Sequence, residues 1–80
     1  MKARVFVTLK PSVFDPQGRT IAEALHSMGY TGVGDVRQGK YIELELAETD
    51  AARAKESVEE MCRKLLANTV IENYAVDLVD

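Results

Sequence analysis

The order in which the hydrophobic periodicity changes along this chain limits the folds that it can adopt. Apolar and polar residues alternate from Lys2 to Leu9, as on a β-strand with one buried face. From Pro16 to about Met28 the apolar residues recur every three or four positions, which predicts an amphipathic helix that ends at Gly29. Val33 to Arg37 predict a weak second strand, followed by a hairpin turn at Gln38-Gly39-Lys40.

The second half of the sequence shows the same change of period. Strict alternation from Tyr41 to Leu46 predicts the clearest strand, and Tyr74 to Val79 predict the last one. Between them a helix is expected to run to about Ala67, with Thr49 as its N-cap and Asp50 favourable at its positive end. The apolar stripe of this helix comprises Ala51, Ala54, Val58, Met61 and Leu65.

These elements follow one another in the order β-α-β-β-α-β within a single domain of residues 1–80. Each helix must bury its apolar stripe against the sheet, and right-handed crossovers place both helices on the same side. We therefore expect an α+β, ferredoxin-like sandwich, in which an antiparallel sheet carries two helices on one face.

The face of the sheet without helices is expected to be covered by another chain. Phe6 and Tyr41 fall on this face, and large exposed apolar patches mark interaction sites. A chain of 80 residues is also marginally stable alone, and association is a common remedy. We expect a homodimer or homotetramer that forms through this face and the strand edges, with contacts from Phe6, Tyr41, Tyr74 and Val79.

The composition disfavours several classes of function. A net charge of −3 argues against nucleic-acid binding, and Glu43 and Glu45 would repel phosphates beside Tyr41, where an RNA-recognition module stacks bases. No stretch approaches the roughly 18 apolar residues of a membrane span, and the alternating N-terminus lacks the apolar core of a signal peptide. With Cys62 as its only cysteine, the protein is expected in the reducing cytoplasm.

Side chains suited to catalysis or metal binding are few. His26 is the only histidine and Cys62 the only cysteine, whereas a zinc site usually needs four ligands. We expect His26 to be a partly exposed surface residue and Cys62 to be a small buried residue in the stripe of the second helix. No catalytic, cofactor-binding or metal-binding residue is predicted.

The loop Asp15-Pro16-Gln17-Gly18 leads from the first strand into the first helix, where a glycine-bearing loop can bind phosphate. Phosphate loops, however, carry several glycines and a lysine or serine at set spacing, and here Gly18 stands alone. Asp15 suits an N-cap and Pro16 suits the first helical position. Gly18 allows close packing against the loop or a partner. A structural role is therefore predicted.

Three stretches carry more specific motifs. They are VTLKPSVFDPQG (residues 7–18), LHSMGYTGVGDVRQGKYIEL (residues 25–44) and MCRKLLANTVIENYAV (residues 61–76). Their most specific pieces are D-P-Q-G, G-Y followed by V-R-x-G-K, and L-x-N-x-V-I-E. Over essentially the whole chain, the sequence resembles the PurS family, the small subunit of phosphoribosylformylglycinamidine synthase. Thr69 departs from the family, which often has proline at that position.

The resemblance implies a non-catalytic subunit of an enzyme complex in purine biosynthesis. That complex uses ATP and glutamine to convert formylglycinamide ribonucleotide to formylglycinamidine ribonucleotide. A glutaminase subunit releases ammonia, and a large synthetase subunit, which uses ATP and Mg, accepts it. The small subunit is expected to contact both, to bind no cofactor itself, and to assist complex formation and ammonia transfer.

Partner contacts are expected from the loops, although turn formation or helix capping explains the same residues. The candidates are Asp15, Gln17, Gly18 and Arg19 at the first helix; Arg37, Gly39 and Lys40 at the predicted hairpin; and Asn68 and Glu72 after the second helix. The alternative is a small effector-binding regulatory module of ferredoxin-like type. Such a module would be stabilised by an amino acid or nucleotide and would have no glutaminase partner.

Overall fold

The computed structural model describes residues 1–79. In that part of the chain three strands and two α-helices alternate: β1 (Lys2–Leu9), α1 (Pro16–Ser27), β2 (Gly39–Glu45), α2 (Ala51–Met61) and β3 (Glu72–Val79). The α+β class and the antiparallel sheet of the predicted ferredoxin-like sandwich are confirmed. The number of strands and the position of the first helix differ from the prediction.

The first strand in the sequence is the central strand of the sheet. β1 pairs antiparallel with β2 on one side and with β3 on the other, so that Val5 lies opposite both Ile42 and Val76. Ala3, Val5 and Val7 are fully buried on the side that faces α2. Successive side chains of a strand point to opposite faces, and Phe6 accordingly lies on the open face, as predicted.

The helix α2 closes the core from one side. Its buried positions are Ala54, Val58 and Cys62, which are spaced by four residues. Met61 directly precedes Cys62, and Leu65 directly precedes the partly buried Leu66, each by about 100° of helical rotation, so both point away from the sheet. They are 37% and 83% exposed, so their predicted place in the buried stripe was wrong.

Both ends of α2 also differ from the expectation. Asp50, rather than Thr49, is the N-cap, because its carboxylate accepts a hydrogen bond from the backbone N–H of Ala52 at 2.9 Å. At the other end the helix widens into a π turn over Cys62–Leu66, which is closed by a 3.0 Å bond from Ala67 N–H to the Cys62 carbonyl. The helical segment thus ends at the predicted residue, with different hydrogen bonding.

The predicted strand from Val33 to Arg37 is absent, and so is the hairpin turn that should follow it. Gly39 and Lys40 instead begin β2, in register with Thr8 and Val7 of β1. The segment before β2 contains Gly32, Gly34 and Asp35, which have low strand propensity, and it lies along α1 rather than along the sheet.

The missing strand explains where α1 lies. A parallel second strand would force the chain to cross the sheet and would lay α1 over it. Here the chain leaves the sheet after Leu9 and rejoins it at Gly39, at the same end, so no crossover is needed. Residues 10–38 form a projection that we call the arm. Contrary to the prediction of two helices on one face, α1 makes only slight contact with the sheet.

The arm gives the molecule an extended shape. Its principal dimensions are 48 × 26 × 14 Å and its radius of gyration is 16.0 Å. A compact chain of this length has a radius of gyration of about 12 Å. The chain therefore does not fold back to enclose all of its own apolar surface.

Candidate functional site

The outgoing and returning parts of the arm are joined through the carboxylate of Asp15. One oxygen accepts a hydrogen bond from the backbone N–H of Gly18 at 2.9 Å and so caps α1. The other accepts a 2.7 Å bond from the backbone N–H of Gln38, the residue just before β2. These two bonds, assisted by the nearby Arg37 guanidinium, lower the pKa of Asp15. One side chain thus starts the helix and fastens the returning end of the arm.

Gly18 provides the close approach that the sequence predicted. It is buried, and a Cβ at this position would collide with the backbone carbonyl of Val36. Pro16 occupies the first turn of α1, again as predicted. The D-P-Q-G loop is therefore a cap, a helix start and a packing point, and the end of α1 that could attract a phosphate already holds a carboxylate.

Arg37 also stabilises this junction, which is where the outgoing and returning parts of the arm meet next to the sheet. Its guanidinium donates hydrogen bonds to the carbonyls of Lys10 and Val13, at 3.0 and 2.7 Å. Both carbonyls belong to the outgoing part of the arm, whereas Arg37 belongs to its returning part. The side chain therefore ties the two parts together, although it remains exposed.

A cleft of about 220 Å³ opens at this junction. It contains five of the nine predicted partner contacts, and its full lining is Val7, Leu9, Asp15, Gln17, Gln38, Gly39, Lys40 and Glu72. Arg19 lies outside it on the exposed surface of α1, where it pairs with Glu23 at 3.1 Å. Gly18 and Arg37 support the junction without lining the cleft.

Glu72 links the cleft to the turn before β3. Its carboxylate accepts a 2.6 Å hydrogen bond from Asn68 N–H, and its other oxygen lies 3.9 Å from the Lys40 ammonium. The Asn68 side chain accepts from Val70 N–H at 3.2 Å. Asn68 therefore forms the turn, in agreement with the alternative of turn formation considered for the predicted contacts. Glu72 and Lys40 line the cleft.

The cleft is suited to protein contact rather than to a bound metabolite. Small-molecule sites are usually clefts or cavities with a volume of about 300–1,000 Å³ and a mainly apolar lining. This one is smaller, five of its eight lining residues are polar or charged, and its two acids are already bonded to backbone or lysine groups. The rim of a protein–protein interface is polar and solvent-accessible, and the paired charges and exposed amides at this cleft are compatible with such a rim.

The remaining reactive side chains lie elsewhere. His26 is exposed on α1, with Nε2 2.7 Å from the Val33 carbonyl. Cys62 is fully buried beneath α2, where burial raises the pKa of its thiol. Within residues 1–79, no three histidine, cysteine or acidic side chains converge to hold a metal ion. No helix in that range is long and apolar enough to span a bilayer.

The open face of the sheet is a second candidate surface. The rings of Phe6 and Tyr41 lie 5.2 Å apart and are 45% and 50% exposed. The Tyr41 hydroxyl donates a 2.7 Å hydrogen bond to Glu43, which raises the Tyr41 pKa and lowers that of Glu43. Val79 shares this face, opposite Lys2 in register, whereas Tyr74 lies on the other side and packs against the core.

The role of Gln38 as a donor to Asp15 was not predicted from the sequence. Its contribution is a backbone N–H, which every residue except proline supplies, so no residue type signals it. A buried acid that caps a helix can be recognised from sequence, but the donor that its second oxygen finds depends on the tertiary fold.

Comparison with known proteins gives one consistent result. The family described as "PurS: Phosphoribosylformylglycinamidine (FGAM) synthase" matches residues 2–80. The phosphoribosylformylglycinamidine synthase subunit PurS of Bacillus subtilis is 53% identical over 77 residues, covering 96% of this chain and 90% of that protein.

Two solved structures show the same fold. A crystal structure of B. subtilis PurS superimposes with a TM-score of 0.89 at 52% identity, covering 99% of this chain and 98% of that one. A chain in a structure of PurLQS from Thermotoga maritima gives a TM-score of 0.87 at 36% identity, covering 95% and 93% of the two chains. The extended arrangement of arm and sheet is therefore similar to that of solved proteins.

Proposed function

Because this chain belongs to the PurS family, the small subunits of phosphoribosylformylglycinamidine synthase, we propose that it bridges the glutaminase and synthetase subunits and assists ammonia transfer. It acts in purine biosynthesis as a subunit of that synthase. It supplies no catalytic residue and binds no cofactor; ATP and Mg are used by the synthetase. We place the complex in the cytoplasm, where a lone buried cysteine stays reduced.

The similarity to a chain in the PurLQS structure carries this proposal. The junction cleft adds a physical argument, because Gln17, Lys40 and Glu72 meet there although they come from three separate elements. The bonds of Asp15 and Arg37 hold the cleft in one shape before binding. A pre-formed surface loses less conformational entropy on association than a mobile loop does.

A third subunit has a physical role in ammonia transfer. Ammonia is small and neutral, so it diffuses into solvent unless the two active sites are enclosed together. A bridging protein can stabilise the docked arrangement of the two catalytic subunits without touching the reacting atoms. Binding energy at such an interface favours the productive geometry in the same way that it favours any oriented complex.

Reconstitution tests this role. The synthetase and glutaminase subunits are mixed with and without this chain, and formylglycinamidine ribonucleotide formation is measured with glutamine as the nitrogen source. We expect synthesis to depend on the chain. With ammonium chloride in place of glutamine, the chain should have little effect, because transfer between sites is bypassed. Equal glutamine-dependent rates in both mixtures would refute the proposal.

We also propose that the open face mediates self-association, giving a homodimer or homotetramer. Phe6 and Tyr41 are about half exposed there, with Val79 at the end of the same face. Aromatic side chains are enriched at the centres of protein interfaces. Phe6→Ser or Tyr41→Ser should lower the mass measured by light scattering, and an unchanged mass would mean that this face is covered in another way.

A further inference from the structure

The π turn at the end of α2 exposes a leucine. Leu65 is 83% exposed, more than any other large apolar side chain in residues 1–79. In a regular α-helix, Leu65 and Leu66, three and four residues after the buried Cys62, would both flank the side that faces the sheet. The π turn changes this arrangement, because the Cys62 carbonyl accepts its hydrogen bond from Ala67, five residues further on.

The wider turn exchanges one buried side chain for another. Ala67 is buried in the core and Leu66 packs against it, whereas Leu65 points outward. The chain thus buries a single methyl group and exposes a larger apolar side chain, which reduces its hydrophobic stabilisation. π turns are rare, and those that occur are frequently at functional sites. The exposure of Leu65 therefore suits binding better than it suits folding.

Leu65 borders a groove of about 330 Å³ on the outer side of α2. Met61 forms the other apolar part of the groove, and Ser57, Glu60 and Lys64 complete its lining. The Lys64 ammonium lies 2.6 Å from a Glu60 carboxylate oxygen, so these two charges are already paired. We call this surface the α2 groove. It presents apolar side chains beside charges that are neutralised within the chain.

The α2 groove is suited to an apolar side chain of another protein. All of its lining residues belong to one helical segment, so it stays open and cannot enclose a metabolite. The thioether of Met61 adapts its shape to the side chain that contacts it. The neutralised ion pair beside the apolar centre can exclude water from it, as the surroundings of an interface hot spot do.

We propose that the α2 groove receives an apolar side chain of one catalytic subunit, while the junction cleft binds the other catalytic subunit. This inference rests on the bridging role proposed above. A chain that holds two different proteins together must offer them two surfaces that do not overlap. The α2 groove and the cleft share no lining residue and are built from different elements.

The chemistry of the two surfaces separates their partners. The cleft is lined mainly by polar and charged residues, among them Lys40 and Glu72, whereas the α2 groove is centred on Met61 and Leu65. A partner suited to one surface would leave polar groups unpaired at the other, and this penalty gives discrimination. A second copy of the chain is a poorer occupant, because it would leave one catalytic subunit without a surface.

Separate binding measurements test this assignment. Each catalytic subunit is titrated alone into the wild-type chain and its variants by calorimetry. Leu65→Asp should weaken the binding of one subunit at least tenfold and that of the other less than twofold, and Lys40→Glu should show the reverse pattern. Ala52→Asp is the matched control, because it adds the same charge to an exposed position on the side of α2 opposite Met61. It should weaken neither.

The possible results are distinct. The proposal is overturned if Leu65→Asp and Lys40→Glu weaken the same subunit, if Leu65→Asp weakens neither, or if Ala52→Asp has the same effect as Leu65→Asp. A mass that halves in Leu65→Asp, with unchanged binding of both subunits, would mean that a second copy occupies the groove. If the wild-type chain binds neither catalytic subunit, the bridging role itself fails.

A second measurement uses the unsubstituted protein and so does not depend on a variant that folds. The chain is labelled at its methionine and leucine methyls, and each catalytic subunit is added alone. The methyl signals of Met61 and Leu65 should shift or broaden with one subunit, and that of Leu9, which lines the cleft, with the other. If all three respond to the same subunit, the two surfaces form one interface and the assignment is wrong.

Discussion

The carboxylate of Asp15 and the backbone N–H of Gln38 are joined by a 2.7 Å hydrogen bond that closes the arm at its base. The same carboxylate caps α1 through Gly18, so one acid controls both where the helix begins and where the chain rejoins the sheet. Gln38 directly precedes β2, whose first residue, Gly39, pairs with Thr8 of β1.

Asp15→Asn should lower the urea midpoint of unfolding at pH 7. The amide oxygen can still cap α1, but its NH₂ group cannot accept from Gln38 N–H. Because the pKa of Asp15 is lowered in the folded state, its contribution is fully present above the unfolded value of about 3.9. That contribution disappears as the pH falls from there through the folded pKa.

The measurement is the gap between the midpoints of wild type and Asp15→Asn as a function of pH. The gap should be constant from pH 7 to about 5 and should close below about pH 4, as the wild-type carboxyl becomes protonated. Other carboxyl groups titrate in both proteins and cancel in the difference. A gap that stays the same at low pH would show that the charge of Asp15 is not what stabilises the junction.

Gly18→Ala should destabilise the protein even though alanine is the better helix former. The propensity gain is about 1 kcal/mol, but the added methyl collides with the Val36 carbonyl, which is backbone and cannot rotate away. Such overpacking costs typically about 1–3 kcal/mol or more, and we expect a net loss in the free energy of unfolding. Gly34→Ala is the control, since nothing lies within 4 Å of a Cβ there. Equal stability of the two variants would contradict the close approach.

Lys40→Glu should weaken binding to the catalytic subunits by about tenfold, which is ~1.4 kcal/mol. The change reverses a charge at the cleft and places it beside Glu72, 3.9 Å away in the wild type. The free energy of unfolding should fall by only about 1 kcal/mol, because the Lys40 side chain is 58% exposed, although that of Glu72 is 16% exposed. Lys55→Glu, on the exposed surface of α2, makes the same change of net charge away from the cleft. Isothermal titration calorimetry should show a loss of affinity for Lys40→Glu and little loss for Lys55→Glu. Equal losses of affinity in the two variants would mean that net charge alone matters.

Cys62 should react with a thiol reagent only when the protein opens. It is fully buried, and burial raises the pKa of its thiol, so little thiolate is present or accessible at pH 7. We expect a rate about a hundredfold or more below that of the unfolded chain, rising with urea. A Ser57→Cys variant adds an exposed thiol as an internal reference. One fast and one slow phase are expected; two fast phases would show that α2 opens readily.

Local pattern was sufficient to predict the elements that bury one face. The strand β1, the two helices and the alternation in β2 were all recognised, because each has its own period in the sequence. The segment from Val33 to Arg37 was misread as a strand because pairing depends on which neighbour the chain finds. Its neighbour is α1, which Gly18 allows to approach closely.

The candidate site was predictable to a similar degree. The roles of Asp15, Pro16 and Gly18 follow from helix-end chemistry and were predicted correctly. The placement of Arg37 and Lys40 at a hairpin was wrong, because the strand that would have made the hairpin does not exist. The arm could not be predicted either, since its position also depends on whether residues 33–37 pair with the sheet or lie along α1.

The strand order has a consequence for how the protein is made. The ribosome produces β1 first, yet β1 lies between β2 and β3 and needs both of them. Until residues 72–79 have emerged, one side of the central strand has no partner and α2 has no complete sheet to cover. Pairing between the two ends of a chain is slow compared with local folding, and the exposed strand is open to mispairing meanwhile. The sheet is therefore completed only after residues 72–79 have left the exit tunnel.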